Sequence, residues 1–303
     1  MTPELRAKAI QTLKNHARFD DHFTQRMPAA LNNASEDEKN AWVFAHAAIW
    51  PDQVKRPSPG VTQDDVKNFN RSRWHYINMP VYLNEAERVE LQGDLLVNLN
   101  QEVPAGTSGG SQARRGMNII QALKFAAIVT KDEDTRPVKK ATYLCWLIHL
   151  AGDAHQPLHS SAFFTTQRFE SGDLGGNNIF VREQRLHSVW DGLLQDGDTS
   201  FSKVQERTKA LLGDGNLLAA GKQASESMEF EAWLNEGHRL AKEFAYTGSI
   251  RNHIASQEGT ANDDIPSFDP GHEYYSNAVK VAEQRGVEGG FRLAKMLSQV
   301  LSD

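Results

Sequence analysis

His149 and Asp153 lie four residues apart in an apolar stretch, and His187 and Asp191 repeat the spacing further along. Four residues is a little over one helical turn, so each pair shares one helix face, with Cβ atoms about 5–6 Å apart. Imidazole nitrogen and carboxylate oxygen are both good ligands for a divalent ion such as zinc. Between the pairs stands His159, in the run His149-Leu-Ala-Gly-Asp153-Ala-His-Gln-Pro-Leu-His159, beyond a turn at Pro157. An ionised carboxylate in apolar surroundings is costly unless something pairs with it, and a cation removes that cost. One such pair alone reads equally well as a hydrogen bond inside a core. Two pairs and a third histidine favour a metal cluster. Two upstream segments are further candidates, Trp50-Pro-Asp52-Gln-Val-Lys55 and Trp74-His75-Tyr76-Ile-Asn78. Alone, Asp52 reads as a turn residue and His75 as part of an aromatic cluster.

Helices must carry these residues. Thr2-Pro-Glu-Leu-Arg is an N-cap followed by proline, opening a helix to about Asn15. Ser35-Glu-Asp-Glu38 is a capping box, and the helix it opens should end near Trp50, because Pro51 disfavours helical geometry before it. Residues 112–130 and 138–154 read as two long helices, the second apolar nearly all round and therefore central. Residues 160–185, rich in glycine and asparagine, read as a loop with a short ribbon through 179–181. Helix resumes over 186–194, and 226–246 and 273–301 predict two more. Glycine-containing segments at 106–110 and 259–270 read as loops too short or too embedded to be domain linkers. The expectation is a mostly α, single-domain multi-helix fold over 1–303, with a short β-ribbon insertion and a zinc cluster in a central cleft.

The chain has 303 residues, long enough for a sizeable core, and a net charge of −6 argues against tight duplex binding through a basic face. No stretch approaches the roughly 20 apolar residues of a membrane helix. Its single cysteine, Cys145, excludes an intrachain disulfide and reads as a small packed apolar group. The opening Met-Thr-Pro-Glu-Leu-Arg does not have the form of a signal peptide.

The central run, followed by Gly175-Gly-Asn177 and Leu186-His187-Ser-Val-Trp-Asp191, resembles the zinc-dependent S1/P1 nucleases, which share a superfamily with the zinc phospholipases C. Asp52 with Lys55, His75-Tyr-Ile-Asn78, and the closing Glu288-Gly-Gly-Phe-Arg-Leu-Ala-Lys295 stand in the family's order, extending the resemblance from about residue 4 to 300. It implies that Asp52, His75, His149 and Asp153 hold one zinc and that His159, His187 and Asp191 hold a second. His155 falls on no ligand position and reads as a supporting residue. Asp52 and Asp153 would be catalytic through the metal, and Lys55 would contact the scissile phosphate. Tyr76 would stack on a nucleobase and Asn78 would bond its edge.

The implied reaction is metal-assisted hydrolysis of RNA and single-stranded DNA to 5′-phosphorylated products, with 3′-nucleotidase activity beside it. The implied partner is a single-stranded nucleic acid or nucleotide, with no protein partner. The family's third zinc needs an N-terminal tryptophan and a nearby histidine. Neither His16 nor His22 has that context, so this chain supports two zinc sites and leaves the third incomplete, as either a shortened N-terminus or a variant with a crippled third site would. By the same resemblance the enzyme is secreted or periplasmic. The rival expectations are a zinc phospholipase C and a non-catalytic zinc protein. His75-Tyr76-Ile-Asn78 favours a base pocket over a lipid headgroup site, and Lys55 with Tyr76 speaks against a purely structural role.

Overall fold

The computed structural model describes residues 1–91, 102–103, 111–195, 197–259 and 265–302. Its helices, in chain order, are α1 (Pro3–Leu13), α2 (Phe19–His22), α3 (Glu36–Gln53), α4 (Gln63–Phe69), α5 (Glu85–Leu91), α6 (Ser111–Arg115), α7 (Ile119–Lys131), α8 (Pro137–Asp153), α9 (Leu186–Gly192), α10 (Phe201–Gly213), α11 (Gly215–Ala224), α12 (Phe230–Leu240), α13 (Gly248–Gln257) and α14 (His272–Val300). The strands are β1 (Met79–Tyr82), β2 (Ser161–Phe164), β3 (Phe180–Val181) and β4 (Gln184–Arg185). The fold is mostly α, as the periodicity predicts. The expected loop at 106–110 and part of the one at 259–270 lie outside the described residues.

The chain divides into two compact units. One comprises 1–75, 101–153 and 290–303, and the other 76–100 and 154–289. In the first unit α8 packs against α1, α3 and α7. Its Leu144, Cys145, Trp146, Leu147, Ile148 and Leu150 are all buried, so it has apolar neighbours on every side. Each fully buried Leu or Ile contributes about 1.5–3 kcal/mol through removal from water. Thr2 caps α1 by accepting from the Leu5 N–H, and Ser35 with Glu38 forms the capping box that opens α3.

Two boundaries differ from expectation for visible reasons. Helix α3 runs through Pro51 to Gln53 instead of stopping near Trp50. Proline cannot donate to the carbonyl four residues back and crowds it, which loosens this turn without ending the helix. The single helix expected over 112–130 is two, α6 and α7. Asn118 caps α7 by accepting from the Gln121 N–H, and a side chain that competes for backbone donors favours such a break. The helix expected over 226–246 narrows to α12 followed by a π turn at Ala241–Ala245.

In the second unit, β1 and β2 pair in parallel with Met79 opposite Ser161, and β3 and β4 form the ribbon expected near 179–181. Parallel pairing of β1 and β2 was not legible in the sequence, because each strand has only four residues. Its consequence is positional: Ile77 N–H donates to the His159 carbonyl at 2.9 Å and Met79 N–H to Ser160 at 3.2 Å. The Tyr76–Asn78 segment is thereby tied to the turn that carries His159.

Candidate metal centres

Helices α3 and α8 build the first centre. His149, on the last full turn of α8, donates its Nδ1–H to the Ala48 carbonyl of α3 at 2.6 Å. That bond fixes the tautomer and leaves the Nε2 lone pair facing inward. Nε2 lies 2.9 Å from His75 Nδ1, 3.0 Å from Asp153 Oδ2 and 3.8 Å from Asp52 Oδ1. His75 Nδ1 in turn is 2.9 Å from Asp153 Oδ2 and 3.8 Å from Asp52 Oδ1. Two imidazole nitrogens and two carboxylates therefore converge. Tetrahedral ligands about 2.1 Å from an ion stand roughly 3.4 Å apart, and the observed separations straddle that value. The donor set fits a divalent cation.

The electrostatics agree. Burial alone would lower the His149 imidazole, but the Asp153 and Asp52 carboxylates outweigh it and hold it at about 8. Burial dominates at His75, whose imidazole falls to about 4 despite the Asp153 carboxylate. Burial works against the Asp52 carboxylate, yet His149 and Lys55 keep it below its ordinary value. Lys55 Nζ reaches Asp52 Oδ1 at 2.6 Å and remains 41% exposed, so it stands at the solvent edge of this cluster.

The second centre lies within the second unit. His187 and Asp191 sit one turn apart on α9, and His159 closes the short turn after Pro157. His187 Nε2 is 3.5 Å from Asp191 Oδ2, and His159 Nε2 is 3.9 Å from Asp191 Oδ1. One ligand atom from each residue lies within 4.8 Å of the others. His187 donates Nδ1–H to the Gly175 carbonyl at 2.7 Å, again leaving Nε2 as the inward lone pair. Gln156 donates to Asp191 Oδ1 at 2.9 Å and orients that carboxylate.

The sequence reading missed this supporting layer. Gly175 has φ +63°, and a Cβ there would stand 2.7 Å from the Leu158 carbonyl; at Gly176, φ +86°, it would stand 3.0 Å from the His187 amide. Only glycine lets the loop approach so closely. The loop is pinned by Asp173, which is wholly buried and accepts from the Phe163 and Gly176 amides at 2.8 Å each and from the Tyr246 hydroxyl at 3.0 Å. Burial pushes the Asp173 carboxyl up to about 7, against the downward pull of those bonds. A lone Asp before a Gly-Gly pair was the available signal.

Remaining candidates fall as follows. Tyr76 is exposed at 39% and Asn78 is half-buried, so the tyrosine ring is available to a ligand. His155 is buried against Trp233, with ring centroids 5.2 Å apart, and joins neither triad. His16 and His22 are also buried away from the triads. Trp50 Nε1–H donates to His22 Nδ1 at 3.0 Å, and His46 Nε2–H donates to the His22 carbonyl at 2.7 Å. Burial drives His16 down to about 3 and His46 to about 4, so both are neutral in the fold at ordinary pH.

A helical scaffold presenting two His/Asp sets, with the His149 and His187 tautomers fixed by backbone carbonyls, defines a candidate metal-binding protein of the kind that hydrolyses esters. The profile of the S1/P1 Nuclease family matches residues 19–302, and the chain belongs to that family. It is similar to Endonuclease 5 of Arabidopsis thaliana, 25% identical over 300 residues that cover 90% of this chain and 83% of the relative. Nuclease S1 of Aspergillus oryzae is 26% identical over 171 residues, covering 52% and 54%, and Nuclease P1 of Penicillium citrinum 25% over 220 residues, covering 67% and 71%. The protein is therefore a nuclease, a hydrolase acting on phosphoric ester bonds. Among the described residues no helix is long and apolar enough to cross a membrane.

Proposed function

We propose that this chain, acting over 1–303 as a single nuclease domain, is a zinc-dependent enzyme that hydrolyses RNA and single-stranded DNA to 5′-phosphorylated products and also removes 3′-phosphates from nucleotides. The supporting observation is the convergence of Asp52, His75, His149 and Asp153, whose ring nitrogens and carboxylate oxygens approach to 2.9–3.8 Å. His159, His187 and Asp191 form the second ligand set. Divalent ions held there would supply Lewis acidity and an activated water.

The chain's own groups do the rest. Asp153 and Asp52 orient the buried His75 and His149 imidazoles. Lys55, at the solvent edge, places a positive charge where a phosphate oxygen gains charge during hydrolysis. The exposed Tyr76 ring offers a stacking face to an unpaired base, and Asn78 offers an amide to its edge. Export to the periplasm or cell exterior belongs to the same reading and rests on the resemblance alone.

The test is hydrolysis of single-stranded DNA, duplex DNA, a 3′-nucleotide and phosphatidylcholine by the zinc-loaded protein. Faster cleavage of the single strand than of the duplex, with 3′-phosphate release and an intact lipid, is expected. Turnover of the lipid alone would replace this reading with a phospholipase, and turnover of nothing would leave a zinc-binding protein without this chemistry.

A further inference from the structure

The chain's arginines divide into those that meet a carboxylate and those that bond only carbonyls or amides, Arg26 and Arg251 among the latter. Arg18, Arg88, Arg182, Arg207 and Arg239 each meet a carboxylate. Among the described residues, Arg71, Arg114 and Arg115 meet none, although acidic residues outnumber basic ones, 39 to 33. Arg71 bonds only to the backbone carbonyls of Asn70 and Asn68, and Arg115 only to that of Lys67. The Arg71 guanidinium stands 5.8 Å from the Trp74 ring and that of Arg114 stands 6.0 Å from Phe125. Trp74 Nε1–H donates to the Arg114 carbonyl, which joins the two segments. Burial lowers the Arg71 guanidinium from its ordinary value, and the nearby charges of Arg115 and Arg114 lower it further.

Clustering like charges without an acid costs stability, so it is uneconomical as scaffolding and suited to an anion. The cluster is also continuous with the first centre: Trp74 packs on Trp146 at 4.9 Å between centroids, and Trp146 on His75 at 5.3 Å. The buried Trp74 and Phe125 rings back two of the guanidiniums, and the fork of each guanidinium can take two oxygens of one phosphate. We propose that Arg71, Arg114 and Arg115 form a binding surface for the phosphate backbone of the single strand beyond the bond being cut. This rests on the nuclease reading and adds a length-dependent contact to it.

The experiment measures kcat and KM of the zinc-loaded enzyme on a 15-nucleotide oligothymidine across a salt series. It compares the wild type with the double variant Arg114→Gln/Arg115→Gln, the charge-keeping Arg114→Lys/Arg115→Lys and a distant control, Arg6→Gln/Lys14→Gln. Losing two phosphate contacts should make the slope of log(kcat/KM) against log salt shallower by about 1.4. At low salt KM should rise about tenfold. The lysine pair should keep the wild-type slope, and the control should too. A glutamine variant with the wild-type slope and KM overturns the inference, as does a lysine variant that loses as much as the glutamine one, which would mark a structural role. A wild type that cleaves no oligonucleotide at any salt instead overturns the nuclease reading beneath it.

Discussion

The two triads solve one ligand problem with different materials. The first is carried by α3, α8 and the short turn Ser72–His75, its imidazoles are 3% and 6% exposed, and its donors crowd to 2.9–3.0 Å around Asp153. The second hangs on a turn, a short helix and a glycine loop, and its His187 Nε2 and Asp191 Oδ2 stand 3.5 Å apart. In the first triad's unit Trp50, His22 and His46 form a buried hydrogen-bonded chain. Behind the second stands a single latch, Asp173 with Tyr246. A centre built on packed helices is preformed, whereas one built on a loop depends on whatever pins the loop.

The largest test of that contrast is Asp153→Asn, which removes the carboxylate shared by His75 and His149. Hydrolysis should fall about 10³-fold or more and one ion should be lost, read by turnover and metal analysis. Activity near wild type with full metal content would refute the ligand assignment. His187→Ala should also cost one ion and most of the activity while leaving the first centre loaded, so the remaining metal should resist dilution as it does in the wild type. Loss of both ions together would remove the distinction between the centres.

A subtler probe is Asp173→Asn or Tyr246→Phe, which loosens the loop that supplies the Gly175 carbonyl. Metal affinity at the second triad should weaken about 10–100-fold with little change at the first, by competition with a chelator. Equal weakening at both would contradict the separation of their supports.

The smallest effect concerns two buried histidines of the first unit. His16 and His46 are held neutral well below their unfolded value of about 6.5. Acid therefore protonates the unfolded chain first. Stability is fully present above pH 6.5 and declines as pH falls towards 4, by a few kcal/mol at most across that window. Melting temperatures of metal-free protein should follow that course, and His46→Gln should flatten it. An unchanged profile in the variant would show that other groups govern the acid limb.

What the sequence made legible follows from period. His149/Asp153 and His187/Asp191 share a helical face because four residues close a turn, and α8 announces its burial by being apolar on all sides. The Asp52–Lys55 contact was not legible, because Pro51 predicts a helix end before Asp52. The supports were not: the Ala48 and Gly175 carbonyls are backbone atoms distant in sequence from the histidines they fix, and no residue type marks them. Pro51 misled for a related reason, since its effect on α3 was to loosen a turn and not to end it. Helices α4, α10, α11 and α13 went unpredicted, and α10 buries no residue, which leaves little apolar pattern to read.

The most direct measurement is the number of zinc ions bound per chain by the wild type, His149→Ala and His187→Ala after equilibration with the metal and removal of excess. Two centres predict at least two ions in the wild type and one fewer in each variant, with the folded helical content kept. Equal zinc in all three proteins would contradict the claim that these histidines are its ligands.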